Sequence, residues 1–177
     1  MTARAIRFID THSHLQVERL DGHRAQWLAQ AREAGVENIL LCAGAPEDWE
    51  RTLSTAHEWG LGAMLGIHPL WLDSTTPAEL VGLRELAESL LDDPHFIGLG
   101  EVGLDGFEPG LDQHKAERVF LEELKIARDL DLPLSIHVRR TASKTLGLLR
   151  RVYGSPGKTC AAPSMPLTAR MLNARLF

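Results

Sequence analysis

The order of apolar and amphipathic segments along the 177-residue chain predicts an α/β fold, a partial (β/α)8 barrel of the TIM type. Short β-type runs alternate with helical patterns, and polar residues recur at the carboxyl ends of those runs. The turn after the first run lacks the glycine-rich phosphate loop of a dinucleotide-binding sheet. Because barrels build their chemistry on the carboxyl ends of their strands, we favour a barrel over an open doubly wound sheet.

Five apolar runs are predicted to be the parallel strands. They contain little polar alternation, which is typical of strands that are covered on both faces. The runs are Ala5–Asp10, Glu37–Ala43, Ala63–Ile67, Phe96–Glu101 and Leu134–Val138. A complete barrel has eight strands, so the sequence supplies about five of eight βα units.

Helical patterns separate these runs, and several have recognisable ends. The predicted helices are Gly22–Ala34, Ala45–Trp59, Thr76–Leu91, Leu111–Leu130 and Thr141–Val152. Thr76 before Pro77 is typical of a helix start, because threonine caps free amides and proline has no amide to cap. Gly35 and Gly60 are predicted to end the helices that precede them. The four tryptophans are interpreted as packing between the helix layer and the barrel.

Composition restricts the function classes. The chain carries 24 acidic and 19 basic residues, a net charge of −5, which gives no basic surface for tight nucleic-acid binding. A nucleic acid would therefore be held only by a local feature such as bound cations. The first residues lack the apolar core of a signal peptide and no run approaches a membrane span, so we expect a cytoplasmic protein. Cys42 and Cys160 form no disulfide framework or metal-type pair.

Five polar side chains follow the predicted strands at positions that a barrel would bring together. His12 and His14 alternate on the first strand and share one face roughly 6.5 Å apart. Glu101 ends the fourth strand, His137 ends the fifth, and His68 lies just past the third. A single histidine after an apolar run is usually a hydrogen-bonded core or rim residue, but convergence at one rim favours a metal site. Imidazole and carboxylate ligands suit Zn, Mn or, with fewer nitrogens, Mg.

The segments around these residues resemble the motifs of a known family. "FIDTHSHL", "GIHPLW", "GEVGLD" and "LPLSIHVRRT" are similar to the successive signatures of the TatD-family metal-dependent hydrolases, within the amidohydrolase-like barrels. The resemblance extends over roughly residues 6–153, in the expected order and spacing. It implies a (β/α)8 barrel with two divalent metal ions (Zn, Mn, Mg or similar). It also implies hydrolysis of phosphodiester bonds in DNA as the best-known activity.

The resemblance assigns expected roles to individual residues. It implies that His12 and His14 bind the first metal ion and that His137 binds the second. Glu101 would bridge the two ions. His68 would lie near the substrate phosphate, and Arg139 could also contact that phosphate, so the candidate catalytic residues are Glu101, His68 and Arg139. Asp10 and Asp105 also match family positions, and the resemblance implies that both support the ligands.

The resemblance is incomplete after about residue 157. The family site also uses a histidine of a His-x-Phe motif on the sixth strand and an aspartate on the eighth. The sequence after Tyr153 offers neither of these, nor a strand pattern. We therefore expect an amino-terminal barrel part, 1–157, and an anomalous tail, 158–177, that is not native family sequence. Truncation or a frameshift would explain the tail, because a shifted frame over 164–169 can spell His-Ala-Phe-Asn-Gly; the closing "NARLF" resembles a family helix again.

Two other functions stay open at this point. The same metal-activated water serves acyl transfer, so an amide or ester hydrolase of the amidohydrolase type is an alternative. Five strands also leave two sheet edges open, so a non-catalytic half-barrel that persists only by pairing with another chain is a second alternative. DNA or another phosphodiester is the expected partner, and the sequence indicates no protein partner and no membrane association.

Overall fold

The computed structural model describes residues 7–154 of the chain and the backbone of 171–176. Five strand–helix units follow one another in this part, and a sixth strand comes after them. The strands are β1 Phe8–Ser13, β2 Val36–Cys42, β3 Gly62–Leu65, β4 Phe96–Asp105, β5 Leu134–Arg139 and β6 Met171–Leu176. The helices are α1 Arg24–Glu33, α2 Trp49–Trp59, α3 Pro77–Ser89, α4 Gln113–Asp129 and α5 Ala142–Tyr153. Short 3-10 turns occupy Glu18–Leu20, Pro46–Asp48 and Pro69–Ser74.

All six strands belong to one parallel sheet in the order β1-β2-β3-β4-β5-β6. Each strand pairs with the next strand along the chain, whereas a doubly wound sheet reverses its strand order at one point. The sheet also curves, because β6 approaches β1. This architecture confirms the predicted α/β fold, a partial barrel of the TIM type.

Two strands continue past their predicted ends, so the polar residues of these strands lie deeper inside the barrel than predicted. The predicted start of the first strand, Ala5, lies outside the described residues, and β1 continues to Ser13. His12 therefore lies within the strand. β4 continues from Glu101 to Asp105. Glu101 is consequently set deep in the barrel, and Asp105 stands at the rim.

The strand β6 corrects the prediction that no strand follows Tyr153. Its backbone pairs in parallel with β5, with Leu134 opposite Met171 and Val138 opposite Leu176. The stretch "MLNARL" alternates leucine or alanine with other residues, which is the two-residue period that a strand requires. The free edge of β5 supplies the backbone partners. The prediction that "NARLF" is helical is thus wrong for the described part, and residues 155–170, where the expected His-x-Phe peptide falls, lie outside it.

The two faces of the sheet pack differently. On the outer face, Leu41 and Leu65 are fully buried beneath the helices, and Phe120 of α4 belongs to the same helix-side core as Leu65. On the inner face, Leu40 and Met64 form a small cluster inside the barrel. Side chains alternate between these faces along each strand. The large apolar core therefore lies between sheet and helices, and it holds the strand ends in place.

The helix ends follow the predicted capping residues. α3 begins at Pro77 after Thr76, whose backbone amide donates to the Glu79 carboxylate over 2.7 Å in a capping box. Gly60 ends α2 in the left-handed conformation with φ +65°, which glycine adopts without steric cost. Gly35 follows the last residues of α1 with φ +89°. Among the described residues, every helix is too short or too polar to cross a bilayer.

The tryptophans only partly follow the packing prediction. Trp49 is buried and donates its indole N–H to the Gly66 carbonyl over 3.0 Å. Trp71, by contrast, is 55% exposed. It belongs to the 3-10 turn after β3, which turns Leu72 into the core and so directs Trp71 outward. The packing prediction is therefore wrong for Trp71.

Candidate metal centre

The Glu101 carboxylate lies at the centre of four histidines from different parts of the chain. Its Oε2 atom is 3.1 Å from His12 Nε2 and 3.4 Å from His14 Nε2. Its Oε1 atom is 3.0 Å from His137 Nδ1 and 3.7 Å from His68 Nε2. Each carboxylate oxygen thus faces its own pair of imidazoles. The structure therefore brings together the four histidines and the glutamate that the sequence predicted to converge.

The first ligand group consists of His12, His14 and Glu101. His14 Nδ1 lies 2.8 Å from the Cys42 carbonyl oxygen. A carbonyl only accepts, so this nitrogen carries the proton and Nε2 of the neutral ring presents a lone pair. His12 Nδ1 lies 2.8 Å from the Ser135 hydroxyl, and the two Nε2 atoms are 3.2 Å apart. These atoms and Glu101 Oε2 are close enough to share one cation.

The second ligand group consists of Glu101 and His137. His137 Nε2 donates to Asp105 Oδ2 over 2.9 Å, which leaves the Nδ1 lone pair aimed at Glu101. Asp105 is fully buried, and its Oδ1 accepts the backbone amides of Phe107 and Glu108 at 2.7 and 3.1 Å. Burial by itself would raise the Asp105 pKa, but these hydrogen bonds lower it overall. Asp105 is therefore an ionised carboxylate that holds the proton of His137 on Nε2. Histidines that bind metal ions usually donate their other ring N–H to such an acceptor.

His68 presents a proton rather than a lone pair. Its Nδ1 accepts the Leu70 backbone amide over 3.2 Å, so Nε2 carries the proton when the ring is neutral. Burial lowers the pKa of His68 to about 4, which keeps the ring neutral near pH 7. By distance alone His68 joins Glu101 and His137 as a possible ligand set. Its hydrogen bonding instead favours the predicted contact with a substrate oxygen.

The electrostatics of the cluster favour positive charge. Burial would raise the pKa of Glu101, but the rings of His12, His137 and His14, which donate to its carboxylate when their facing nitrogens carry a proton, lower it well below its ordinary value. The hydrogen bond to Glu101 raises the pKa of His14. Burial lowers the pKa of His137, and its bonds to Glu101 and Asp105 raise it overall. A pocket that stabilises a carboxylate and draws protons onto its imidazoles also fits divalent cations.

Two further predicted residues border the ligand groups. Arg139 is half-buried, with Nη1 3.7 Å from Asp105 Oδ2, and its guanidinium lies over the Phe107 ring. The exposed Asp10 accepts the His12 backbone amide at Oδ1 over 3.2 Å. Asp10 therefore acts on the backbone of β1, and Asp105 acts on an imidazole directly.

Sequence reasoning missed several supporting groups. Ser135 lies two residues before His137 on β5 and therefore shares its face. An isolated hydroxyl in the apolar run "LPLSIH" was a usable signal for it. The Cys42 carbonyl that orients His14 left no signal, because any residue at that position offers the same oxygen. The family's sixth-strand histidine is not supplied by β6, since "MLNARL" contains no histidine or carboxylate.

Comparison with known sequences places these residues in a family. Residues 9–169 match the family model described as TatD related DNase. A protein of Escherichia coli K12 named "uncharacterized metal-dependent hydrolase YjjV" is 35% identical over 147 residues, 82% of this chain and 56% of its own length. The "3'-5' ssDNA/RNA exonuclease TatD" of Cronobacter turicensis is 28% identical over 141 residues, 79% of this chain and 52% of its own.

Solved structures agree with the sequence matches. The crystal structure of YjjV aligns with a TM-score of 0.77 at 33% identity, covering 82% of this chain and 56% of that one. A TatD family hydrolase of Entamoeba histolytica, at 18% identity and a TM-score of 0.71, shares the fold. The chain thus spans about half the length of the relatives that it matches. Because the family model covers most of its length, the chain belongs to the TatD family of metal-dependent hydrolases.

Proposed function

We propose that this chain carries the metal centre of a hydrolase that cleaves phosphodiester bonds, with DNA as substrate. The observation that supports this most directly is the Glu101 carboxylate, which has His12 and His14 at one oxygen and His137 at the other. A carboxylate in that position can hold two cations a short distance apart. A family member from Cronobacter turicensis is named as an ssDNA/RNA exonuclease, which supports a nucleic-acid substrate.

Some residues of the site would bind the cations, and others would contact the phosphate. Two divalent cations at the ligand groups would activate a water molecule and offset the charge that develops on the phosphate. The neutral His68 donates its Nε2 proton to a phosphate oxygen. Arg139 adds a permanent positive charge beside Asp105. Glu101 remains ionised throughout, because the surrounding imidazoles stabilise its charge.

The acidic net charge of −5 is compatible with a polyanionic substrate. Positive potential is needed only where the phosphate binds, and the cations and Arg139 would supply it there. A local site of this kind attracts a phosphodiester without a basic surface elsewhere. Because the net charge gives no indication of a basic surface for tight nucleic-acid binding, we expect binding of nucleic acid to depend on added divalent metal. The cytoplasmic location expected from the sequence stays a prediction.

The two ligand groups should differ in affinity. The first offers three ligand atoms, from His12, His14 and Glu101. The second offers two, from Glu101 and His137, because the nearby His68 Nε2 carries a proton. We also retain the proposal that 158–177 is not native family sequence, which would explain why the second group lacks its other imidazole. Titration calorimetry with Mn²⁺ or Zn²⁺ should therefore resolve one tight and one weak cation. Equal affinities, or no bound cation, would contradict this assignment.

Substrate comparison tests the reaction itself. We expect hydrolysis of bis(p-nitrophenyl) phosphate with added metal, and much slower hydrolysis of p-nitrophenyl acetate and a nitroanilide. Glu101→Ala should lose cation binding and at least about 100-fold in rate, because one shared contact positions both ions. Glu88→Ala, on the exposed side of α3, is the matched control and should change neither.

The remaining outcomes separate the alternatives. Faster cleavage of the acetate or anilide would identify an ester or amide hydrolase. Tight cation binding without cleavage of any substrate would support a non-catalytic half-barrel that needs another chain. A Glu101→Ala variant with more than about a tenth of the wild-type rate would refute the bridging role.

A further inference from the structure

Two consecutive arginines lie against the same aromatic ring at the rim of the barrel. The guanidinium carbon of Arg139 is 3.8 Å from the centre of the Phe107 ring, and that of Arg140 is 4.4 Å from it. Consecutive residues of a strand normally point to opposite faces. Arg140 instead has a φ of +56°, in the left-handed region that side chains rarely adopt. This turn brings both guanidiniums to one ring.

Backbone contacts hold the segment of the arginine pair close to the metal centre. The Gly106 amide donates to the Arg139 carbonyl over 2.7 Å, and the Thr141 hydroxyl donates to the Leu104 carbonyl over 3.0 Å. A Cβ atom at Gly106 would lie 3.1 Å from the Arg140 carbonyl oxygen, so the two loops pass at close range. The Phe107 amide also bonds to the carboxylate that orients His137. The backbone that carries the ring and the arginines is therefore tied to the strand ends beside that ligand.

The guanidinium groups of Arg139 and Arg140 both remain accessible to a ligand. Arg139 is 38% exposed and Arg140 is exposed. Arg139 has one carboxylate near it, Asp105 at 3.7 Å. No ion pair of Arg140 is found within the described residues. The face of Phe107 holds both guanidiniums by cation–π attraction, but it leaves their N–H donors free to bind phosphate oxygens. Two positive charges on one ring create a local positive potential.

We propose that Phe107, Arg139 and Arg140 form a subsite for a second phosphate of the substrate. Arg139, nearer His137, faces the phosphate at the metal centre, and Arg140 binds the next phosphate along the strand. The inference rests on the proposed phosphodiesterase function and narrows it to oligonucleotides. A diester with a single phosphate gains nothing from Arg140. DNA and RNA share the phosphate backbone that this subsite recognises.

Comparison of a one-phosphate substrate with an oligonucleotide tests the subsite. Arg140→Asn removes the charge, and asparagine tolerates the left-handed conformation, so the turn is retained. We expect the KM for a short single-stranded oligonucleotide to rise about tenfold, the usual effect of one charge-assisted contact. The kcat/KM for bis(p-nitrophenyl) phosphate should stay within about twofold. The slope of log KM against log salt should fall by about 0.7, the value for one phosphate contact on a single strand.

Two control variants complete the experiment. Phe107→Leu should raise the same KM by a smaller factor, because both arginines stay charged but lose the ring that aligns them. Arg151→Ala removes an exposed positive charge on α5, outside the rim, and should have no effect. An equal effect of Arg140→Asn on both substrates would overturn the proposal. So would no effect on the oligonucleotide, or the same effect from Arg151→Ala.

The subsite and the proposed reaction can fail separately. If the wild-type chain binds the oligonucleotide by fluorescence anisotropy and Arg140→Asn weakens that binding, the subsite stands even when bis(p-nitrophenyl) phosphate is not cleaved. In that case the reaction assignment fails. If the diester is cleaved and the anisotropy of the variant equals that of wild type, the reaction stands and the subsite is refuted.

Discussion

Glu123 provides the sharpest stability test of the structure. This residue of α4 is fully buried, and its Oε1 atom accepts the Ile67 backbone amide over 2.8 Å. Its Oε2 atom has no hydrogen-bond partner within the described residues. Burial raises the pKa of Glu123 well above its ordinary value, although the amide bond acts in the opposite direction. We therefore expect a protonated carboxyl group behind the turn that leads to His68.

Two substitutions separate hydrogen bonding from ionisation. Glu123→Leu removes the acceptor and leaves the Ile67 amide buried without a partner, which should cost about 1–3 kcal/mol of unfolding free energy. Glu123→Gln keeps a carbonyl oxygen of the same shape and cannot ionise. Its unfolding free energy should equal that of wild type at low pH, within about 1 kcal/mol.

The pH dependence follows from the raised pKa. The unfolded chain loses the Glu123 proton near the ordinary value of 4.5, whereas the folded chain keeps it to higher pH. Between these two pKa values the folded state binds more protons, so stability falls as pH rises, by up to about 1.4 kcal/mol per pH unit. Below 4.5 the stabilising contribution is complete, and above the folded pKa it is lost. Glu123→Gln removes this dependence.

The assay is urea unfolding followed by tryptophan fluorescence, between about pH 5 and pH 8. The difference in unfolding free energy between Glu123→Gln and wild type should grow with pH in favour of the variant. Glu122→Gln is the matched control, because the neighbouring carboxylate is 47% exposed and should show no such trend. A difference that stays flat with pH would refute a protonated Glu123. A Glu123→Leu variant as stable as wild type would refute the role of its hydrogen bond.

Two further predictions concern the second ligand group and the sheet edge. Asp105→Asn should weaken cation binding beside His137 by about 10- to 100-fold, because the amide no longer enforces the required tautomer; calorimetry with unchanged affinity would contradict this. Phe8 and Ile9 are 52% and 62% exposed on β1, at the end of the sheet. We therefore expect the chain to self-associate through this edge and Ile9→Lys to reduce that association; an unchanged sedimentation profile would contradict this.

The strand pattern was predictable where apolar runs are dense. The predicted strand at Leu134–Val138 ends one residue from the observed end at Arg139. The predicted end of β4 at Glu101 is four residues short, because the glycine and aspartate in "VGLD" are poor strand formers by propensity. In the structure that stretch pairs with β5, from Val102 opposite Ile136 to Asp105 opposite Arg139. Pairing with a neighbouring strand thus overrode local preference.

The residues of the candidate site were predictable from the sequence, but the tautomers of its histidines were not. The two-residue spacing of His12 and His14 places both on one face, and Glu101 was predicted from its position at the end of the apolar run "FIGLGE". The tautomer of His14 depends on the carbonyl of Cys42, which is distant in sequence. The conformation of Arg140 is likewise set by the packing of two loops. Such details require the positions of backbone atoms, which no residue pattern specifies.

The same side-chain types perform different tasks here because their partners differ. His14 and His137 each give a proton to an oxygen, so a lone pair remains for a cation. His68 receives a backbone N–H, so it retains a proton for a substrate oxygen. The pKa of Asp105 is lowered because it accepts three hydrogen bonds, one of them from an imidazole, whereas Glu123 accepts one amide and burial raises its pKa. Whether a histidine acts as a metal ligand or as a proton donor therefore depends on its hydrogen-bond partner. An oxygen acceptor leaves a lone pair for a cation, and a backbone N–H donor leaves a proton for the substrate.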